Sequence, residues 1–301
     1  MRGREGYAVA RDGAPIYYRV TGPRGVGSAV ILSDGIGCDG YIWKYVENAL
    51  VGSVRLLHWH YRGHGRTPVP PDPRRVSIPD CADDLVSVMD AAEVERGVLF
   101  GHSMGVQVSL ETFRRHRDRV IGLGLLCGSF GNPLRTLKGT STGEAVLPLL
   151  ALAARHVPST LDVLWRRLLP TKLAFTLASR IEINANLVRI EDFMPYLDHM
   201  ARVDLRLFIE MLGHAGRHSA REILSAIDVP TLIVAGERDG FTPCSLSEEM
   251  HHAIPGSRFL VVEQGSHTAP IERPRLVTDA IVEFLAPLLG ETPRIDAPSA
   301  P

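Results

Sequence analysis

The 301-residue sequence predicts an α/β fold in which a mostly parallel central sheet is flanked by helices. Short, continuous apolar runs alternate along the chain with helical patterns, as in the run Gly97-Val98-Leu99-Phe100. Strands of this kind are buried on both faces of a sheet, and the intervening helices cover those faces. The alternation breaks between about residues 131 and 221, which are rich in Leu, Ala and Arg and helical in pattern. We therefore expect an inserted helical cap, 131–221, after the sixth strand of the core.

Residues 1–130 are expected to form the first part of the α/β core. They begin with a hairpin over residues 6–22, which turns at Asp12-Gly13, a pair typical of tight turns. Further along, apolar residues recur on one face of a predicted amphipathic helix. The elements predicted after the hairpin are a strand at 29–32, a helix at 41–50, a strand at 54–58, a helix at 83–93, a strand at 97–100, a helix that ends near residue 116 and a strand at 120–126.

The chain returns to the core after the cap. Residues 222–289 are predicted to form the second part of the core, because strand-like apolar runs reappear at 230–235 and 259–262. A helix is expected at 275–288, where apolar residues recur at the spacing of one helical face. The tail, 290–301, is rich in Pro and Ala and is predicted to be disordered.

The composition favours a cytoplasmic protein. The 33 basic and 34 acidic side chains nearly balance, so no strong field attracts nucleic acid or an anionic membrane surface. The four cysteines show no C-x-x-C spacing, which favours a reduced, intracellular protein. The N-terminus lacks the apolar stretch of a signal peptide, and the longest apolar segment, 146–154, is too short to span a bilayer. No feature of the sequence indicates the oligomeric state.

The pentapeptide Gly101-His102-Ser103-Met104-Gly105 fits the pattern G-x-S-x-G directly after an apolar run. In this pattern a strand, a sharp turn that carries a serine and a helix follow one another. Side chains at the two flanking glycines would clash with neighbouring backbone. The following helix directs its positive N-terminal end toward the serine. The motif predicts a nucleophilic serine, although Gly and Ser also occur together in ordinary turns.

An acid and a histidine follow two later strands in the chain order that this serine motif requires. Asp239 lies in a turn after the strand at 230–235, and His267 lies in a loop after the strand at 259–262. Taken singly, an Asp-Gly pair is also a common turn, and a loop histidine is also a common surface residue. Together with the serine motif they predict a Ser–His–Asp triad.

Five features together resemble the α/β-hydrolase family from about residue 6 to residue 289. They are the serine motif at Ser103, the acid turn at Asp239, the histidine loop at His267, the loop Arg62-Gly63-His64-Gly65-Arg66-Thr67 and the turn Asp34-Gly35. The resemblance implies a serine hydrolase of the carboxylesterase kind, with a helical cap, a small-molecule substrate and no cofactor or metal.

The resemblance also implies a role for each site residue. Ser103 would be the nucleophile, His267 the base and then the acid, and Asp239 the group that orients His267. The intermediate would be an acyl-enzyme, later cleaved by water. Two backbone N–H groups would bind the oxyanion, one from Met104 and one from Ile36 in the loop after the third strand. Three glycines would support close packing around the site, namely Gly35, Gly101 and Gly105.

The predicted substrate is a small to medium, mostly apolar carboxylic ester, lactone or thioester. A minority of the apolar cap side chains is expected to line its pocket, while the others pack the cap onto the core. Cleavage of a carbon–carbon bond, acyl transfer and perhydrolysis remain open alternatives. The apolar cap side chains are Leu161, Leu164, Trp165, Leu173, Phe175, Phe193 and Leu207.

Two positions depart from the family pattern. Val106 stands where a third glycine is common, and no functional conclusion follows from it. Asp34 stands where the family usually has a histidine. A carboxylate that faced the oxyanion would oppose the reaction, because two like charges repel. We therefore expect Asp34 to point away from the oxyanion and to pair with Arg62 or His64.

Two other classes of function remain open. The sequence G-x-G-x-x-G at 35–40 follows a strand, as in dinucleotide-dependent oxidoreductases, but the ribose-binding acid is missing from 58–62. A receptor that binds a ligand without turnover could keep the same motifs, because fold and function are separable. A zinc site at His58, His60 and His64 has little support, since no carboxylate or cysteine lies nearby at ligand spacing.

Overall fold

The apolar runs of the sequence form one sheet of eight strands within the described part of the chain. The structure is a computed structural model that describes residues 3–23, 27–132, 152, 158–178 and 183–289. The strands are β1 (Arg4–Val9), β2 (Pro15–Thr21), β3 (Gly27–Ser33), β4 (Leu56–Trp59), β5 (Val94–His102), β6 (Val120–Leu126), β7 (Thr231–Gly236) and β8 (Arg258–Val262). Their order in the sheet is β1-β2-β4-β3-β5-β6-β7-β8.

Strands β3 to β8 run parallel, whereas β2 pairs antiparallel with both β1 and β4. The hairpin predicted at 6–22 is therefore the antiparallel edge of the sheet. The predicted fold class, a mostly parallel sheet flanked by helices, is confirmed. In such a sheet the carboxyl ends of the parallel strands lie along one edge, where loops from several strands meet.

Helices cover both faces of the sheet. Their ranges are α1 (Lys44–Leu50), α2 (Ile78–Ala91), α3 (Met104–Arg115), α4 (Pro158–Leu168), α5 (Lys172–Ala178), α6 (Ile190–Met200), α7 (Leu205–Arg217), α8 (Cys244–Ala253), α9 (Ala269–Glu272) and α10 (Pro274–Leu289). Successive residues of β5 point to opposite layers, since Leu99 packs with α2 and α3 whereas Val98 and Phe100 pack with α1 and α10. A strand buried in this way is apolar at every position, which explains the continuous runs in the sequence.

Helix α2 begins at Ile78, five residues before the helix predicted at 83–93. Ser77 caps it, because the Ser77 hydroxyl accepts from the Asp80 N–H at 3.2 Å and the Asp80 carboxylate accepts from the Ser77 N–H at 3.1 Å. This reciprocal capping box satisfies two backbone donors at the start of the helix. The helix predicted at 41–50 also differs, since it opens with a 3-10 turn at Tyr41–Trp43.

Helices α4 to α7 lie in the chain between β6 and β7, and the described residues of this interval contain no strand. Helix α7 is anchored on the core, because Leu207, Met211 and Ala215 are buried against it. The side chains of Leu164 and Leu173 are exposed instead. The tail at 290–301 and most of 133–157 lie outside the described residues. No helix in the described ranges combines the length and the apolar character needed to cross a membrane.

Candidate active site

Ser103 lies in the turn between β5 and α3, at the carboxyl end of a central strand. Its φ of 55° and ψ of −117° are rare for a residue with a side chain, and such strain persists only where the surroundings hold it. The flanking glycines allow the turn to pack closely. A Cβ atom at Gly101 would lie 2.1 Å from the Gly105 carbonyl oxygen, and one at Gly105 would lie 2.4 Å from the Ser33 carbonyl oxygen.

The structure brings Ser103, His267 and Asp239 together. Ser103 Oγ lies 2.9 Å from His267 Nε2, and His267 Nδ1 lies 2.9 Å from Asp239 Oδ2. All three side chains are buried. An Nδ1–H that donates to a carboxylate leaves Nε2 free to accept the serine proton, which is the arrangement that general-base activation of a serine requires.

Asp239 is held by four donors. Its Oδ1 accepts from the backbone N–H groups of Phe241 and Thr242, each at 2.8 Å. Its Oδ2 accepts from the Thr242 hydroxyl at 2.8 Å in addition to His267. Each oxygen therefore has its own donors, and this fixes the carboxylate in one orientation. Thr242, three residues after the predicted acid, was not identified from the sequence.

Glu272 fixes the loop that carries His267, and the sequence analysis missed it as well. Its carboxylate accepts from the Ser266 N–H at 2.6 Å, from the Ser266 hydroxyl and from the Thr268 hydroxyl at 3.1 Å. It also accepts from the Asn184 N–H at 2.8 Å, which ties the segment before α6 to this loop. The pattern Thr268-x-x-x-Glu272 places both residues on one helical turn, and that spacing was the available signal.

The backbone N–H groups of Ile36 and Met104 flank Ser103, and all three residues line one narrow cavity. Neither N–H donates a hydrogen bond within the described residues. Met104 is the first residue of α3, where backbone donors have no partner inside the helix. A Cβ atom at Gly35 would lie 3.1 Å from Ser103 Cβ, so glycine lets the loop after β3 approach the serine. This close approach explains the first glycine of the G-x-G-x-x-G sequence without a dinucleotide.

The partner predicted for Asp34 was wrong. Asp34 Oδ2 lies 2.8 Å from His58 Nε2, at the end of the neighbouring parallel strand β4. Arg62 is occupied by the carboxylates of Asp84 and Asp12. Burial raises the pKa of Asp34. Burial lowers the pKa of His58, but the charge of Asp34, the hydrogen bond to it and the charge of Glu47 together outweigh burial and raise the pKa of His58.

His64, the other predicted partner of Asp34, forms a hydrogen bond with the loop after β3 instead. Its Nδ1 donates to the Arg62 carbonyl oxygen at 3.0 Å, so Nε2 is free to accept from the Gly37 N–H at 3.0 Å. Burial lowers the pKa of His64 to about 4, which keeps this acceptor in place at neutral pH. In the described ranges, no group of three His, Cys, Asp or Glu side chains is arranged to hold a metal ion.

His102 connects the serine turn to the histidine loop. Its Nε2 lies 2.8 Å from the carbonyl oxygen of His267, and a carbonyl can only accept, so Nε2 carries the proton. Burial, assisted by the nearby His267, lowers the pKa of His102 to about 3. The ring is therefore neutral and donates from the turn that carries Ser103 to the loop that carries His267.

The cavity at Ser103 is lined by the serine turn and α3, by the loops after β3, β6 and β7, and by α7. None of the seven apolar side chains predicted for the cap lines it. Two other residues of α7 do so, because they lie on the face of the helix that packs toward the serine. The lining residues are Ile36, Ser103, Met104, Gln107, Ser129, Leu212, Ala215, Phe241 and Thr242.

Comparison with known proteins gives one consistent family. The chain is 30% identical over 245 residues to the pimeloyl-(acyl-carrier protein) methyl ester esterase of Neisseria meningitidis, covering 79% of this chain and 85% of that protein. It is 25% identical over 284 residues to a Bacillus subtilis protein provisionally named 2-succinyl-6-hydroxy-2,4-cyclohexadiene-1-carboxylate synthase, covering 93% and 94%. Among solved structures, an enol-lactonase from Burkholderia xenovorans matches with a TM-score of 0.76 at 24% identity, covering 93% of this chain and 99% of that one.

The family model for the alpha/beta hydrolase fold matches residues 29–274. This range contains the serine turn, the acid turn and the histidine loop. It also contains the strands β4 to β8 and most of β3. The chain therefore belongs to the alpha/beta hydrolase fold family.

Proposed function

We propose that this protein is a serine hydrolase that cleaves a small to medium, mostly apolar carboxylic ester, lactone or thioester through an acyl-enzyme. The observation that carries the proposal is the unbroken chain of hydrogen bonds from Ser103 Oγ through His267 to Asp239, with 2.9 Å at each step. A relative named an ester esterase supports the same bond type at 30% identity.

In the proposed reaction, His267 Nε2 takes the Ser103 proton while Oγ attacks the carbonyl carbon of the substrate. Asp239 stabilises the imidazolium that forms. The N–H groups of Ile36 and Met104 stabilise the oxyanion, and each such donor contributes on the order of a hundredfold or more in rate. His267 then gives its proton to the leaving alcohol, and water cleaves the acyl-enzyme by the same steps.

The helices between β6 and β7 are proposed to act as the cap of this site, 131–221. Leu212 and Ala215 of α7 contribute to the cavity wall. The substrate would therefore lie between the sheet edge that carries Ser103 and the inserted helices. A mostly apolar wall favours a neutral substrate over a charged one, because burying an unpaired charge is costly.

A burst-phase assay tests the proposal. p-Nitrophenyl acetate, butyrate and octanoate are offered to the wild type and to Ser103→Ala. We expect sustained turnover in the wild type, none above background in Ser103→Ala, and a chain-length preference. One stoichiometric burst without turnover would instead indicate a receptor of this fold. Equal activity in both proteins would remove Ser103 as the nucleophile.

A further inference from the structure

Gln107 is a buried amide that lines the same cavity as Ser103. It lies on α3, one helical turn after the serine, and only 1% of its surface is exposed. Its Nε2 lies 2.9 Å from the Ala215 carbonyl oxygen, 3.3 Å from the Gly131 carbonyl oxygen and 3.4 Å from His218 Nδ1. Three acceptors thus surround the nitrogen end of the amide.

These contacts determine which end of the amide faces the cavity. An amide nitrogen donates and an amide oxygen accepts, so the two ends are not interchangeable. If the amide were reversed, its oxygen would face two carbonyl oxygens. The oxygen Oε1 is therefore the end of the amide that points away from these acceptors, on a residue that lines the cavity. Within the described residues it accepts no hydrogen bond.

A second buried side chain stabilises this orientation. His218 Nε2 lies 3.0 Å from Glu111 Oε2, and a carboxylate oxygen accepts, so Nε2 carries a proton; in that tautomer Nδ1 accepts from Gln107. Burial raises the pKa of Glu111, but the hydrogen bond from His218 and the charge of Arg114 outweigh burial and leave it below its ordinary value. The charged carboxylate thus holds His218 in the tautomer that Gln107 needs.

The rest of the cavity wall explains why this oxygen matters. Leu212, Ala215, Phe241 and Ile36 present mostly apolar groups around it. A bound substrate that displaces water from this wall and carries no donor would leave Oε1 buried and unpaired. Leaving a buried acceptor unpaired costs more free energy than one net hydrogen bond contributes.

We propose that Gln107 Oε1 accepts a hydrogen bond from a hydroxyl or N–H group of the substrate, and so selects esters that carry a donor close to the scissile carbonyl. This substrate class, esters with a nearby donor, makes the proposed serine hydrolase function more specific and rests on it. Four residues of helix separate Ser103 from Gln107, which is a rise of about 6 Å. A donor two to four bonds from the carbonyl carbon lies about 2.5–5 Å from it, and its hydrogen bond to Oε1 adds about 3 Å, so the two together cover this separation.

Matched substrates test the proposal, each pair exchanging a hydroxyl for a methyl group of similar size. The acyl-side pairs are methyl 3-hydroxybutanoate with methyl 3-methylbutanoate, and methyl 4-hydroxypentanoate with methyl 4-methylpentanoate. The alcohol-side pair is 2-hydroxyethyl butanoate with propyl butanoate. The ratio of kcat/KM within each pair is measured by proton release for the wild type, Gln107→Met and Leu212→Met. The second variant places the same side chain at another wall of the cavity.

We expect the wild type to favour the hydroxylated ester by about tenfold or more in at least one pair. Gln107→Met should bring that ratio to about one, while Leu212→Met should keep it. A ratio within one pair is insensitive to partial misfolding, because both substrates meet the same fraction of folded enzyme. A wild-type ratio near one in all pairs, or a preference that survives Gln107→Met, would overturn the proposal.

A binding measurement separates this proposal from the proposed hydrolysis. Dissociation constants for the same pairs are measured by calorimetry with Ser103→Ala and with the double variant Ser103→Ala/Gln107→Met. If no ester is turned over but the hydroxylated ligand binds tighter and Gln107→Met removes that difference, hydrolysis is wrong and the role of Gln107 stands. If neither turnover nor a binding difference is found, both proposals fail.

Discussion

At the scale of single residues, the two oxygens of Asp239 have different partners. Oδ1 accepts from two backbone N–H groups at 2.8 Å, whereas Oδ2 faces His267 Nδ1 at 2.9 Å. A backbone N–H cannot accept a hydrogen bond, so the Oδ1 position demands an oxygen. An amide at position 239 would therefore place its oxygen where Oδ1 lies.

Asp239→Asn should therefore fold with its amide oxygen toward the backbone N–H groups and its NH₂ group toward His267. The NH₂ group needs an acceptor, so Nδ1 of His267 must be unprotonated and its proton must lie on Nε2. Nε2 is then unable to accept the proton of Ser103. We expect kcat for p-nitrophenyl butyrate to fall by about ten-thousandfold.

The control for Asp239→Asn is Glu237→Gln, which makes the same chemical change at an exposed acid two residues away. Its kcat should stay within a few fold of the wild type. A kcat for Asp239→Asn within tenfold of the wild type would show that Asp239 does not set the tautomer of His267.

The sequence could identify Ser103, Asp239 and His267 because each follows a strand at a recognisable local motif, and the structure joins them by hydrogen bonds. Their catalytic roles remain predictions. Gln107 was not predictable in the same way, because its partner Ala215 lies 108 residues away in the chain. Glu272 has a local signal in its spacing from Thr268, but no local pattern records its contact with Asn184, 88 residues away.

At the scale of elements, the loop after β3 is hydrogen-bonded to the end of β4 and to the loop that follows β4. Asp34 contacts His58, the Tyr61 hydroxyl donates to the Asp34 carbonyl oxygen at 2.7 Å, and His64 accepts from Gly37. Because Ile36 lies between these attachments, they position its N–H group. The strands were predictable from apolar runs, but these attachments depend on the parallel register of β3 and β4.

Two substitutions at Asp34 separate the hydrogen bond from the space that the side chain fills. Asp34→Ala leaves His58 buried without its partner, and breaking a buried pair in this way destabilises a fold by about 3–5 kcal/mol. Asp34→Asn keeps an oxygen acceptor for His58 and should lose about 1–2 kcal/mol. The free energy of unfolding is measured for both variants in urea.

Turnover reports whether the Asp34 attachment also positions the oxyanion donors. In Asp34→Ala the loop is released from one side, and kcat should fall by on the order of a hundredfold if the Ile36 N–H group moves away. Unchanged unfolding and unchanged turnover in Asp34→Ala would contradict the role assigned to the Asp34–His58 contact.

At the scale of the whole molecule, the fold buries several histidines in neutral form. Burial lowers the pKa of His60 to about 2, that of His102 to about 3 and that of His64 to about 4, from an ordinary value of 6.5. His60 accepts the Arg66 N–H, His64 accepts the Gly37 N–H, and His102 links the Ser103 turn to the His267 loop. The packing of these loops thus depends on histidine rings that stay uncharged.

Below about pH 6.5 the unfolded chain binds protons at these histidines while the folded protein does not. The stability that they contribute is therefore complete above pH 6.5 and is lost as the pH falls toward the folded pKa, which is about 4 for His64, about 3 for His102 and about 2 for His60. Each such site changes the free energy of unfolding by about 1.4 kcal/mol per pH unit in this window. The pKa of His58 is raised instead. His58 therefore stabilises the folded state below pH 6.5, and this contribution is lost as the pH rises above that value.

We expect the urea midpoint of the wild type to fall steeply between pH 6.5 and pH 5, well before most carboxylates are protonated. His60→Asn keeps an oxygen that accepts the Arg66 N–H but removes one titrating site, so the slope should decrease by about 1.4 kcal/mol per pH unit. His252→Gln, which removes a histidine exposed to solvent, is measured beside it as the control. If His60→Asn and His252→Gln gave the same slope as the wild type, His60 would titrate alike in the folded and unfolded chains. The acid sensitivity of the fold would then have to arise elsewhere.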